Sequence, residues 1–325
     1  MNVDEPLPLL GGLSPQLFMK RYWQKKPLLV RQAIPGFRPL LDRAALFELA
    51  ADEDVQSRMV IQEPDQVPSW RFKQGPFERR AFPALKRPGW TLLVQGVDLH
   101  HNAVHELMNQ FRFVPDARLD DLMISYASDG GGVGPHTDSY DVFLLQAHGR
   151  RRWRIGRQKD VSLQPDVPLK ILANFVPEQE FVLEPGDMLY LPPRYAHDGI
   201  AEGECMTYSI GFRIPSRGEL AREVLQRLSD DAEDLVGVSL YRDPNQPAVN
   251  QPSEIPPHML EFAQDALRGA LQDPDALGRA LGEYMTEPKA NVWFDASEPA
   301  SHPDSKSIRL DRRTKMMFDT RHIFI

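Results

Sequence analysis

The sequence predicts a mixed fold: a barrel or sandwich of short strands over about the first 215 residues, then amphipathic helices, then a strand-like tail. Three observations predict it. The apolar runs before Pro215 are brief and set off by glycine or proline turns, the pattern of all-β barrels and sandwiches. The 29 prolines and 21 glycines are spread along the chain instead of forming one low-complexity tract, so they punctuate elements. Beyond Pro215 the apolar residues recur at helical spacing.

In chain order, Ser14-Pro15 reads as an N-cap with proline at the first helical position. The short helix it opens carries Leu17, Phe18, Tyr22 and Trp23 and ends before Gln24-Lys25-Lys26-Pro27. Strands follow at 59–61, 91–94, 122–126, 142–145, 153–155, 188–191 and 206–212. The turns between them include SDGGGVGP (128–135) and EPGD (184–187). Ser216 with Glu219 forms a capping-box pattern, with Leu220, Val224, Leu225 and Leu228 behind it. A linker of five prolines and no glycine spans 243–257. A second helix carries Met259, Phe262, Ala263, Ala266, Leu267, Ala270 and Leu271. Asp273-Pro274 starts a third, through Leu277, Leu281, Tyr284 and Met285. Three such helices make a bundle too thin to be very stable alone, so the spare apolar face packs on a second subunit or on the barrel. The tail ends in the apolar run Ile323-Phe324-Ile325.

At 325 residues the chain has room for two or three domains. Its 38 basic and 46 acidic side chains give a net charge of −8, which argues against a main role in gripping nucleic-acid phosphates. Cys205 is the one cysteine, so neither an intramolecular disulfide nor a cysteine zinc cluster is available. The N-terminus MNVDEPLPLLGGLSP lacks the basic and apolar regions of a signal peptide, and no window is apolar enough to span a membrane. A soluble cytoplasmic protein is expected.

The segment GGGVGPHTDSYDVFLLQAHGRRRWRIG (130–156) carries the chemistry. In extended backbone, His136 and Asp138 point to the same face and project an imidazole and a carboxylate together. His197, in EPGDMLYLPPRYAHDG just past a double-proline turn, is the third candidate ligand. Two histidines and a carboxylate on one octahedral face suit non-haem Fe(II); the same donors also build zinc sites. Within RRRWRI, Arg151 shares a face with Trp153 and Ile155, while Arg150, Arg152 and Arg154 face solvent. A buried guanidinium needs a partner, either an internal Asp or Glu or the distal carboxylate of a dicarboxylate ligand. Asp129, Tyr140 and Asp141 flank the ligands and are candidates for binding a substrate; the two aspartates also suit turn capping.

Three stretches resemble the cupin-type JmjC oxygenases, and within them the bacterial ribosomal oxygenases: FMKRYWQKKPLLVR (18–31), LMISYASDGGGVGPHTDSYDVFLLQAHGRRRWRIG (122–156) and LEPGDMLYLPPRYAHDG (183–199). The spacing Gly186-x5-Pro192 followed by His197 resembles the second cupin motif, with Arg194 where that motif usually has glycine. The resemblance implies a double-stranded β-helix (cupin/JmjC) catalytic domain over 1–215, a helical dimerisation region over 216–288 and a partial winged-helix-like segment over 289–325. It implies Fe(II) on His136, Asp138 and His197, with 2-oxoglutarate and O2 as cosubstrates. It also implies Arg151 and Ser125 as partners of the cosubstrate carboxylate.

By the same resemblance the activity is β-hydroxylation of an arginine in ribosomal protein sixteen of the large subunit, by a homodimer. Histidyl hydroxylation of a ribosomal protein and N-methyl demethylation use the same residues. A cupin adaptor that binds ribosome or nucleic acid is the non-enzymatic alternative, and an adaptor need not keep the three ligands and Arg151 together.

Overall fold

The computed structural model describes residues 2–63, 65, 69–294 and 310–325. The chain forms two compact units divided between Ile214 and Pro215; residues 291–294 belong to the first and 310–325 to the second. Residues 295–309 of the expected winged-helix-like tail lie outside the described residues.

The first unit is a mostly antiparallel sheet with flanking helices. Its strands are β1 (Leu28–Val30), β2 (Ser57–Gln62), β3 (Trp70–Gln74), β4 (Trp90–Val94), β5 (Leu119–Ala127), β6 (Asp141–Gly156), β7 (Gln179–Leu183), β8 (Met188–Leu191) and β9 (Ala196–Phe212). They run in the order β1-β8-β6-β9-β5-β4-β2-β3, with β7 also on β6. The apolar runs 142–145 and 153–155, expected as separate strands, are two ends of β6. Its first part pairs with β8, its second with β7, and β9 follows it throughout.

That long strand has a register break that positions the site. Pairing with β9 shifts between Gln146 and Arg150. A one-residue slip exchanges the two faces of a strand. Hence the even-numbered Val142 and Leu144 and the odd-numbered Arg151 and Trp153 all line one cavity.

The opposite face carries the main core. Helix α1 (Pro15–Arg21) begins where Ser14 Oγ accepts a hydrogen bond from the Leu17 amide at 3.3 Å. It ends at Arg21, before Tyr22 and Trp23. Phe18 is fully buried, its ring 5.0 Å from Tyr190 and 5.5 Å from Phe143, so the helix covers β6 and β8. Helices α2 (Arg43–Leu49) and α3 (Asn102–Asn109) bury Leu46, Val104 and Leu107 in the same core.

The second unit holds α4 (Arg217–Asp230), α5 (Ala232–Val236), α6 (Pro257–Gln272) and α7 (Pro274–Thr286). The expected capping box is present: Ser216 and Glu219 satisfy each other's backbone amides. Val224 and Leu228 of α4 pack on Ala276 and Ala280 of α7. Tyr284 Oη donates to Glu219 Oε1 at 2.6 Å across the same pair. Helix α6 buries none of its residues and exposes Met259, Leu260, Phe262, Leu267 and Leu271. The apolar end is not a lone strand: β10 (Met317–Phe318) pairs with β11 (Ile323–Phe324), and Phe324 lies against Gly282 of α7.

Candidate metal centre

His136 leaves the glycine-rich loop just before β6, and its backbone pairs with that of His197 at the start of β9. His136 N donates to His197 O at 3.0 Å and His197 N to His136 O at 2.9 Å. The pairing sets the two imidazoles side by side, 4.2 Å between centroids. Asp138 closes the group, Oδ2 3.5 Å from His197 Nε2 and Oδ1 3.9 Å from His136 Nε2. All candidate ligand atoms lie within 4.8 Å of one another, the spacing of donors round a shared cation.

The imidazoles are oriented from behind. His136 Nδ1 lies 2.8 Å from Gly134 O and His197 Nδ1 2.9 Å from Tyr195 O. A carbonyl can only accept, so each Nδ1 carries the proton and each Nε2 turns a lone pair to the centre. Burial, and then His136, push the His197 pKa down to about 4, so this imidazole is neutral and ready to bind a cation near pH 7. Arg194, in the motif's glycine position, adopts the left-handed φ of 60° that favours glycine. Its amide donates to Asp138 O at 2.7 Å and ties the double-proline turn to the ligand loop.

Beside the triad is a cavity of about 260 Å³. Arg151 lies in its wall, 3% exposed. Its Nη1 donates to Ser125 Oγ at 3.0 Å and Thr207 Oγ1 at 3.4 Å, and its Nη2 to Gly199 O at 3.2 Å. Its Nε has no protein partner, and among the described residues no carboxylate pairs with the guanidinium. Trp153 packs against it, 5.0 Å from centroid to guanidinium, and sits 5.9 Å from the His197 ring. Gly199 permits this packing, because a Cβ there would lie 2.7 Å from both Arg151 Nε and the Trp153 ring. Arg58 and Lys170 also line the cavity, where Asp138 supplies the carboxylate, so the lining favours an anionic guest. Arg150, Arg152 and Arg154 face away and pair with Glu180, Glu184, Glu202 and Asp198 on neighbouring elements.

The structure brings His136, Asp138, His197, Arg151, Ser125 and Tyr140 to this cavity. Tyr140 stands at 36% exposure, and burial of its hydroxyl together with nearby Asp138 raises its pKa. Asp129 and Asp141 are not in the lining. Asp129 Oδ1 accepts from Gly203 N at 2.8 Å and ties the glycine-rich loop to β9. Asp141 is fully buried on the other face of β6, where Tyr190 Oη (2.6 Å), Gln24 Nε2 (3.1 Å) and Arg118 Nη2 (3.1 Å) donate to it. One step along a strand turns the side chain over, which separates Asp141 from Tyr140. Thr207 and Ser209 of β9 line the cavity and were not read from sequence. Their polar alternation with the buried Tyr208 and Ile210 was the available signal.

This sheet and cavity are those of a cupin of the JmjC type. The JmjC domain family matches residues 106–220. The chain is 35% identical over 294 residues to the "Ribosomal protein uL16 3-hydroxylase" of Escherichia coli, covering 88% of this chain and 75% of that one. It is 38% identical over 224 residues to a "Probable ribosomal oxygenase" of Haemophilus influenzae, covering 67% and 54%. A solved structure of the E. coli ribosomal oxygenase YcfD in complex with cobalt and 2-oxoglutarate superposes with a TM-score of 0.70 at 33% identity, over 87% of this chain and 73% of that one. The chain belongs to the JmjC family, in its ribosomal-oxygenase branch.

Proposed function

We propose that the chain is an Fe(II)- and 2-oxoglutarate-dependent protein hydroxylase that places an oxygen from O2 on an arginine β-carbon of ribosomal protein uL16. One observation carries the reading: Arg151, a buried guanidinium with an unpartnered Nε and neutral acceptors only, stands in the same cavity as three convergent metal-type donors. Leaving a cation buried without a counter-charge is expensive, and a carboxylate guest supplies the missing charge. The donor set fits Fe(II), and the E. coli relative's complex with cobalt and 2-oxoglutarate agrees with it.

In this reading His136, Asp138 and His197 would hold the iron, and Arg151 with Ser125 would hold the distal carboxylate of 2-oxoglutarate. The iron supplies oxygen activation and C–H hydroxylation. The chain's own residues do the rest by placement. Trp153 spans the gap between His197 and Arg151 and fixes where the cosubstrate chain lies. Val142, Leu144, Leu93 and Met123 wall the cavity and keep water from the reacting centre. Tyr140 at the mouth presents an aromatic face and a hydroxyl to an incoming substrate side chain.

The exposed apolar residues of α6 support a homodimer formed through the helical region 216–288. The β10–β11 hairpin supports a winged-helix-like segment over 289–325. The net charge of −8 suits a cationic ribosomal protein as partner and not direct nucleic-acid binding. Among the described residues no helix is long and apolar enough to cross a membrane, and we place the activity in the cytoplasm. The test is succinate formation from 2-oxoglutarate with Fe(II) and uL16. The reading expects it to require oxygen and to disappear in Asp138→Ala; a chain that binds uL16 without turnover is an adaptor.

A further inference from the structure

We propose that Gln146 is a positioning residue for Arg151, acting through the hydroxyl of Thr207 to give the cavity its selectivity for a distal carboxylate. The inference rests on the reading of Arg151 as the partner of that carboxylate.

Gln146 is fully buried at the register break of β6. Its Nε2 donates to His148 O at 2.8 Å and Gly149 O at 3.4 Å. Carbonyls only accept, so the amide has one possible orientation and Oε1 must face Thr207. Thr207 Oγ1 lies 2.9 Å from that oxygen. Oε1 cannot donate, so the single hydroxyl proton of Thr207 goes to Gln146, and Thr207 offers only lone pairs to Arg151 Nη1 at 3.4 Å. Ser125 does the same from the other side: its hydroxyl donates to Thr207 O at 3.3 Å and accepts from Arg151 Nη1 at 3.0 Å.

Both hydroxyl protons therefore point away from the guanidinium. Neutral acceptors hold Arg151, and none of them cancels its charge. A glutamate at position 146 would place a carboxylate beside the arginine, and an apolar residue would free the Thr207 proton to turn towards Nη1. Gly149, at φ 60°, permits the close approach of β9 at the break, since a Cβ there would sit 2.1 Å from Glu204 O. The residue that caps the carbonyls of the break thus also orients the arginine that the break turns inward.

The test is titration of the full-length Co(II)-loaded chain with 2-oxoglutarate and with 2-oxopentanoate, which keeps the keto acid and lacks the distal carboxylate. Gln146→Met and Thr207→Val should each raise the Kd for 2-oxoglutarate about tenfold and that for 2-oxopentanoate less than about twofold. Thr207→Ser should bind like the parent, and the double variant Gln146→Met/Thr207→Val no more weakly than either single. Equal weakening of both ligands, or an unchanged 2-oxoglutarate Kd, overturns the inference. Arg151→Met separates the two levels. If it fails to discriminate between the ligands, the reading of Arg151 falls; if it alone discriminates, only the role of Gln146 falls.

Discussion

Arg151→Met removes the guanidinium and keeps an unbranched side chain of similar reach. In the proposed bound state the parent makes charge-assisted hydrogen bonds to a buried carboxylate, and losing one partner of such a pair costs about 2–4 kcal/mol. At about 1.4 kcal/mol per decade this is a roughly 30- to 1000-fold rise in the Kd for 2-oxoglutarate. The ligand-free protein should respond differently. Arg151 is 3% exposed and burial lowers its pKa, so the parent carries a desolvation cost that nearby Cys205 and Asp198 offset only in part. The three acceptors it leaves are Gly199 O and the hydroxyl oxygens of Ser125 and Thr207, whose protons keep their partners in Thr207 O and Gln146 Oε1. The variant should therefore melt no more than a few degrees below the parent. Titration calorimetry on the Co(II) form and a thermal melt of the metal-free form read the two effects. Unchanged 2-oxoglutarate affinity, or equal loss of affinity and stability, refutes the reasoning.

Asp138→Ala should abolish tight Co(II) binding and 2-oxoglutarate turnover while the far-UV circular dichroism stays that of the parent; retained turnover returns Asp138 to a structural role. Gly199→Ala sets a methyl 2.7 Å from Arg151 Nε and the Trp153 ring, so 2-oxoglutarate affinity should fall at least about tenfold; parent-like affinity contradicts the packing. Asp141→Ala leaves Arg118 and Tyr190 facing an empty site and should cost about 3 kcal/mol in denaturant melts. Its 2-oxoglutarate Kd should not change, and a change would put Asp141 back in the cavity. Because the folded pKa of His197 lies near 4 against 6.5 for a free histidine, the unfolded chain binds the extra proton between those values. The metal-free protein should thus lose stability as pH falls through that window, and His197→Gln should flatten the slope; equal slopes contradict the burial of His197.

The cluster of His136, Asp138 and His197 was legible because its signal is local. His136 and Asp138 share a face by spacing alone, and Gly186-x5-Pro192 announces the turn before His197. Arg151 was legible through its alternation with Trp153 and Ile155. What the sequence could not show depends on distant partners. Asp141 sits one residue from the cavity-lining Tyr140, yet it is claimed by Gln24, Arg118 and Tyr190 from three other segments. The break at 146–150 is set by pairing with β9, so no reading of β6 alone reveals that its two ends form one strand with exchanged faces. The helices showed their apolar faces clearly, but periodicity does not say what covers them, and α6 remains exposed among the described residues.

The most direct test of the central claim is mass spectrometry of uL16 incubated with the chain, Fe(II), 2-oxoglutarate and O2. The account predicts a stable gain of one oxygen atom on an arginine β-carbon, matched by one succinate and absent with Asp138→Ala. An unmodified uL16, a histidine carrying the oxygen, or a methyl group released as formaldehyde would contradict it.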